Sequence, residues 1–284
     1  MIYTSVSQLR IRRIKSQYWK PNTDYCLKIC SSVKHKIENG DIVLISSKAI
    51  ATACGNMVNE ERICPTLASR IIARIWMRYI WGYFLGYFCR LKSSTIQRLR
   101  DYPEIEGGKH KQLAIRNFGI LQALRFGSEG GIDTSNLPHS YVSLPLINPS
   151  LHAKKIYETI KKETGKENII ILVDSDKTYS FHGLHLSPTK SSLPTLHSEG
   201  GFVLYMLGRF LKFKPRSTPL AIYPQNKLPI QEALDIANLS HRAMGAGSGR
   251  TAWDMAEKFN VALTCVTWEM ISLVDHYPIV IARS

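Results

Sequence analysis

Ile169-Ile170-Ile171-Leu172-Val173-Asp174-Ser175-Asp176 is the stretch on which the reading of this chain turns. Its five leading residues form an apolar, mostly β-branched run too short for a helix, which reads as a buried strand. The run is expected to end at Asp174-Ser175-Asp176. A strand that delivers carboxylates at its C-terminal end places hard oxygen ligands at a sheet edge, where Mg²⁺ or Mn²⁺ can bridge them to phosphates. Asp174 is the stronger ligand candidate and Asp176 the weaker. Solvated turn residues after a core strand are the alternative.

Upstream lies a second acidic site, Gly131-Ile132-Asp133-Thr134-Ser135-Asn136. It sets a carboxylate and a carboxamide three residues apart in a glycine-rich turn. Gly127, Ser128, Glu129 and Gly130 precede it, with a backbone small enough for a polyanion to approach its N–H groups. Asp133 can then hold a divalent cation while Asn136 orients a nucleotide or substrate. Taken alone, Asp-x-x-Asn reads more readily as an Asx-turn closing a surface loop, but here it does not stand alone.

Around these sites strands and helices alternate. Strands are predicted over 41–47, 261–268 and 278–282. Helices are predicted over 151–164, capped by Ser150 and stopped by Gly165, and over 230–244, introduced by Pro229 and stopped by Gly245. The latter leads into Gly245-Ala246-Gly247-Ser248-Gly249-Arg250-Thr251. Free N–H groups at Gly247 and Gly249 beside Arg250 make an anion site, with a flexible interhelix turn as the plainer reading. Thr251 and Asp254 have capping-box spacing. The loops near Pro188 and Pro215 are the most plausible flexible breaks.

Segment 71–91 is rich in Trp, Tyr, Phe and Ile. Its uncharged run from Tyr79 to Cys89 is too short to span a bilayer. Arg70, Arg74 and Arg78 recur every fourth residue, and Gly82 and Gly86 form a small-x-x-x-small site for close helix contact. A helix buried in a subunit or domain contact is the leading reading, and a helix lying on a membrane surface is the alternative.

A chain of 284 residues with 44% hydrophobic content can bury a full core, which excludes disordered and fibrous classes. Its formal charge of +15 favours anionic partners. No strand carries the interleaved aromatics of an RNA-binding surface, so no nucleic-acid partner is expected. The six cysteines show neither a Cys-x-x-Cys pair nor zinc spacing, and reduced thiols are expected. The N-terminus lacks an apolar core behind its charges, and a cytoplasmic location is expected. His182-x-x-His185 has a metal-binding spacing only if helical, and the Gly and Pro around it argue for an ordinary pair.

The order and spacing of Gly131–Asn136, Leu144-Pro145-Leu146, a helix, and a strand ending in Val173-Asp174-Ser175 resemble the coenzyme F420:L-glutamate ligases, the F420-0:gamma-glutamyl ligase family. Gly40-Asp41-Ile42-Val43-Leu44-Ile45-Ser46-Ser47-Lys48 with Gly55 is similar to that family's first nucleotide-contacting strand and loop. Ala237-Asn238-Leu239 running into Met244-Gly245-Ala246-Gly247 is similar to its last nucleotide loop.

The resemblance implies an α+β fold of mixed sheets with packed helices, one domain over 1–284 with a subdomain break near 185–217, and a homodimer. It implies a GTP- (or ATP-) driven ligase that activates the carboxylate of a deazaflavin coenzyme precursor, or a related small-molecule carboxylate, as an acyl phosphate. The amine of L-glutamate then attacks to form an amide. Divalent Mg²⁺ or Mn²⁺ would sit on Asp133 and Asp174, with Ser175 where a threonine ligand usually stands. The nucleotide would contact Ser46, Ser47, Lys48, Asn136, Gly245, Gly247, Gly249 and Arg250.

The chain departs from the family pattern at three places. Thr52 stands where a lysine is usual and Ala246 where a glutamate is expected. The run Lys177-Thr178-Tyr179-Ser180-Phe181-His182 lacks the usual arginines. Lys48, Lys177, Glu129 and Arg250 are the nearby substitutes. A nucleotide- or metabolite-binding relative without ligase activity is the alternative function.

Overall fold

The computed structural model describes residues 9–225 and 227–283. Eight strands are present: β1 (Arg10–Ser16), β2 (Ile42–Ser46), β3 (Met57–Asn59), β4 (Tyr141–Ser143), β5 (Ile169–Phe181), β6 (Leu184–Leu186), β7 (Lys214–Tyr223) and β8 (His276–Arg283). Six of them form one sheet in the order β1-β8-β2-β5-β6, with β7 also on β5; β3 and β4 pair separately. Only β2 and β5 run parallel, and the other pairings are antiparallel. The fold is therefore mixed α/β with mixed sheets and packed helices, as expected from the sequence.

The continuous apolar runs of β2 and β5 follow from coverage on both faces. Because side chains alternate along a strand, Val43, Ile45, Ile170 and Leu172 join the core beneath the helices Tyr25–Val33 and Pro149–Thr164. Ile42, Leu44, Ile169, Ile171 and Val173 point the other way, onto the helix Ile230–Met244. Burying each such side chain contributes roughly 1.5–3 kcal/mol. That helix keeps the predicted start and stop.

Four expectations need correction. The strand through Ile169 does not end at the aspartates but continues to Phe181, past a register shift between Asp174 and Lys177. Asp174-Ser175-Asp176 is a bulge, which turns its side chains out of the ladder before pairing resumes. Residues 261–268 form no strand; a turn there leads into the short helix Trp268–Ser272 capped by Thr267. Pro215 lies within β7, opposite Tyr179, whereas Pro188 does sit in a loop. The Pro149–Thr164 helix begins two residues earlier than predicted and has Asn148, not Ser150, at its N-cap. The Ser150 hydroxyl bonds instead to Ser192 Oγ at 3.1 Å.

The aromatic segment is helical in an unusual way: an α-helix Leu67–Ile71 passes into a π-helix Ile72–Leu85 and then Gly86–Phe88. In a π-helix residues five apart share a face. Trp76 and Trp81 accordingly both donate their indole N–H to the Leu124 carbonyl, at 2.8 and 2.9 Å. Gly82 and Gly86 do face a helix, the chain's own Ser93–Arg100. A Cβ on Gly82 would lie 2.9 Å from Arg100 Cγ, and one on Gly86 would lie 3.2 Å from Ile96 Cγ1. Among the described residues no helix is long and apolar enough to cross a membrane.

Candidate active site

The parallel pair β2/β5 ends with Ser46 opposite Val173. Ser46-Ser47-Lys48 therefore leave β2 beside Asp174 of β5, where the parallel pairing stops, the kind of place where α/β folds bind ligands. Ser46 caps the helix Ser47–Ala53, its hydroxyl accepting from the Ala49 N–H. The helix start turns Lys48 toward the Gly131–Asn136 loop. There Lys48 Nζ pairs with Asp133 Oδ2 at 2.9 Å and donates to Ser135 Oγ at 2.8 Å. Burial pushes the Lys48 ammonium down, while Asp133 opposes the shift. Asp133 Oδ1 accepts from the Ser135 N–H at 2.8 Å, so the Asx-turn of the plainer sequence reading is present alongside the ion pair.

The bulge separates two neighbouring carboxylates. Asp176 is buried and neutralised by Arg125 Nη1 at 3.3 Å, with the Thr189 hydroxyl as a second donor. Asp174 receives only the Ser175 hydroxyl and the Asp176 N–H, each at 3.4 Å. No basic side chain pairs with it among the described residues. Burial, then Asp176, then Asp133 push its carboxyl up to about 7. Asp174, Asp133 and Lys48 line one small void of about 10 Å³. That is room for about one water-sized particle.

A half-buried carboxyl pushed up toward neutrality for want of a cation fits a divalent ion, whose charge would relieve both aspartates. Ser175 is exposed beside it. Among the described residues, no group of three or more His, Cys, Asp or Glu side chains is placed to hold a metal. The protein's donors here are thus two carboxylates and a hydroxyl.

These groups open onto a cleft of about 910 Å³ lined by Ser46–Lys48, Asp133–Asn136, Ser175, Lys177 and most of the 245–251 loop. Asn136 ties its own loop to that one. Its Oδ1 accepts from the Ser248 N–H at 2.6 Å, and its Nδ2 donates to the carbonyls of Ala246 and Gly249, both at 3.2 Å. Gly247 has a positive φ of 60°, and a Cβ there would lie 2.6 Å from Asn136 Oδ1, so this close approach requires glycine. The Gly249 N–H is taken by the Ala246 carbonyl. Gly245 donates to Arg242, and Gly247 has no N–H partner among the described residues. Arg250 is exposed at the cleft. Thr251 caps the Ala252–Phe259 helix, and Asp254 reaches back to the Arg250 N–H at 3.2 Å.

Other cleft residues escaped the sequence reading. His241 is pushed down to about 4 by burial and then by Lys177, so it is neutral. His276 is held near 4 by burial. Tyr18 donates its hydroxyl to the Asn136 carbonyl. Asn238 and His241 were findable: they stand three apart on the Ile230–Met244 helix that runs into the loop. His182 and His185 are not a metal pair. His182 sits in a hairpin turn at φ 41°, and His185 Nδ1 lies 2.8 Å from Ser180 Oγ.

Elsewhere in the lining of the cleft, His110 is clasped between Glu60 Oε1 at 2.6 Å and Glu129 Oε2 at 3.0 Å. Lys111 also pairs with Glu129 and donates to the Arg125 carbonyl at 2.8 Å. Burial opposes charge on His110, but Glu60 and Glu129 outweigh it and hold the imidazole at about 10. Glu129 is likewise held well below the usual carboxylate range by Lys111 and His110 against the effect of burial. Glu129 and Asp176, expected as substitute ligands, are therefore already committed to cations of the chain.

Residues 13–210 match the family F420-0:Gamma-glutamyl ligase. The match covers Lys48, Asp133 and Asp174 and stops before the 245–251 loop. The chain is also 30% identical over 286 residues to the uncharacterized protein MJ1361 of Methanocaldococcus jannaschii, covering 97% of this chain and 96% of that protein. With the strand ends, the paired loops and the match over most of its length in agreement, the chain belongs to the F420-0:gamma-glutamyl ligase family, a family of ligase-type enzymes.

Proposed function

We propose that this chain is a metal-dependent, nucleotide-driven amide ligase joining L-glutamate to a small-molecule carboxylate, of which a deazaflavin coenzyme precursor is the family's example. The observation that carries the reading is the contrast at the bulge: Asp176 has its arginine, while Asp174 has no cation and is held protonated near neutrality. Asp133, Asp174 and Ser175 would hold Mg²⁺ or Mn²⁺. When bound, such an ion supplies charge neutralisation for the phosphates during transfer.

The chain's own groups would position the reactants. Lys48, which follows Ser46-Ser47 directly and pairs with Asp133, would offer its ammonium to a phosphate at the same strand end. Gly247 offers its N–H and Arg250 its guanidinium from the facing loop, a pairing suited to a polyanion. The carboxylate substrate attacks the terminal phosphorus, giving an acyl phosphate and releasing the nucleoside diphosphate. The glutamate amine then attacks the acyl carbon, loses a proton and expels phosphate. His241, neutral and partly buried in the cleft, has the charge state of a group that could accept that proton.

A ligation assay with GTP or ATP, Mn²⁺ or Mg²⁺, L-glutamate and candidate carboxylates tests this, read by phosphate release and product mass. Glutamate-dependent phosphate release is expected, with a product heavier by one glutamyl residue. A second reading, a nucleotide-binding relative without ligase activity, is favoured by two positions. Thr52 is buried with its hydroxyl unpartnered, and Ala246 offers only its carbonyl to Asn136. Nucleotide binding without turnover, with turnover appearing in Ala246→Glu, would select that reading. Six free thiols suit the reducing cytoplasm, and a homodimer remains the expected assembly.

A further inference from the structure

One surface outside the cleft lining is apolar and basic at once. Phe84, Phe88 and Phe210 are 60%, 57% and 55% exposed, so most of each ring lies outside the core. They form one patch. The rings of Phe88 and Phe210 are 6.2 Å apart, and Arg209 Nε, on the Phe202–Phe210 helix, donates to the Cys89 carbonyl at 2.9 Å. Tyr79 and Tyr83 stack alongside at 6.3 Å, both half exposed.

Charge on this face has one sign. From Arg62 to Arg100 the chain has eight Arg or Lys and no Asp or Glu, and from Gly200 to Gln231 again no acidic residue. Arg90, Lys92 and Lys212 are exposed, and none forms an ion pair among the described residues.

We infer that this face docks on an anionic lipid bilayer, with the phenylalanines entering the headgroup and acyl boundary and the basic rim meeting the lipid phosphates. The charge selects that occupant. A symmetric contact between two copies would set the patch against itself, bringing Arg90, Lys92 and Lys212 near their own counterparts with no acidic group to offset them. A bilayer supplies both the apolar phase and the negative charge. The helices here lie along the surface, since none is long and apolar enough to cross. None of the six patch residues Phe84, Phe88, Phe210, Arg90, Lys92 and Lys212 lines the cleft, so the inference is independent of the proposed reaction.

The test is co-sedimentation of the full chain with vesicles of phosphatidylcholine alone or mixed with phosphatidylglycerol, at low and high salt. Binding is expected to the mixed vesicles at low salt and not to the neutral ones. Combined Arg90→Glu, Lys92→Glu and Lys212→Glu should weaken it by about a hundredfold or more, at roughly fivefold per basic side chain lost before the added repulsion. Combined Phe84→Ser, Phe88→Ser and Phe210→Ser should abolish it with unchanged circular dichroism. Failure of the unaltered chain to sediment with the mixed vesicles, or equal binding to neutral ones, overturns the inference. So does a phenylalanine variant that keeps its vesicle binding but falls from dimer to monomer in sedimentation velocity, which would make the face a contact between copies.

Discussion

Two clusters of opposite charges contribute to the lining of the cleft, and they are not alike. In the Glu60–His110–Glu129–Lys111 cluster each carboxylate has a cation, and burial is nearly complete. In the Lys48–Asp133–Asp174 cluster the one lysine pairs with Asp133, and Asp174, left without a cation, is pushed up to about 7. The first is self-sufficient and rigid, and removing a member leaves an uncompensated buried charge. The second is incomplete by one positive charge. A cleft built this way has one cluster whose charges are balanced within the chain and one with an electrostatic deficit, which is where the proposed cation would be needed.

The largest effect should therefore come from breaking the complete cluster. Lys111→Met removes an ammonium with no exposed surface and should cost about 3–5 kcal/mol of stability, the range for a broken buried pair. Urea denaturation reads this directly. A loss under about 1 kcal/mol would mean that the cluster relaxes or takes up protons when a cation is removed, and the contrast between the two clusters would weaken.

Removing a member of the incomplete cluster should do the reverse. Asp174→Asn keeps the shape but not the charge, so metal-dependent nucleotide binding should fall by at least about a hundredfold, as expected for a lost hard-oxygen ligand. Stability should not fall. The folded pKa of Asp174 lies near 7, above its ordinary value. Its contribution to stability is therefore present below about 4 and lost as pH rises toward 7. Above that window the asparagine variant should be the more stable protein. Divalent-ion affinity of the unaltered chain should weaken about tenfold per pH unit below 7, because the ion must displace that proton. Calorimetry across this range checks both signs, and a pH-independent affinity would remove Asp174 from the ligand set.

The contrast also separates what the sequence made legible from what it did not. The apolar run Ile169–Val173 announced the central strand, and residue type and spacing marked Asp133 and Asp174 as candidate ligands, which the fold brings to one small void beside Lys48. Local signals sufficed there because strands and turns are specified locally. The continuation of β5 past Asp176 was hidden, because a bulge depends on the partner strand and on Arg125, 51 positions away. For the same reason Glu129 looked available: its partners Lys111 and His110 lie on another helix. The π-helix was illegible as well, since only tertiary contacts such as the shared Leu124 carbonyl reveal a period of five rather than four.

The facing loop offers a smaller, sharper test. If Arg250 meets phosphate at the incomplete cluster, Arg250→Ala should weaken nucleotide binding by about 1.5–3 kcal/mol, the range for a lost charge-assisted hydrogen bond. Stability should hardly change, because the side chain is exposed. Equal nucleotide affinity in both proteins by titration calorimetry would leave the phosphates to Lys48 and the metal alone.

The smallest expected effect concerns Asn136, whose side chain spends all three of its bonds on backbone groups of the 245–251 loop. It fastens the two loops together with both amide hydrogens and one Oδ1 lone pair, which leaves no donor and a single acceptor position for a nucleotide. Asn136→Ala should then cost about 1–2 kcal/mol of stability, the net of three ordinary hydrogen bonds partly replaced by water. It should raise amide exchange at Ser248, whose N–H it holds, and lower nucleotide affinity only through the loosened loop. Asn136→Asp separates this from direct contact. The aspartate can still accept from the Ser248 N–H but can no longer donate to Ala246 and Gly249, and it adds negative charge beside the phosphates. Exchange at Ser248 staying slow while nucleotide affinity collapses would place Asn136 in contact with the ligand and change its role from clamp to reader.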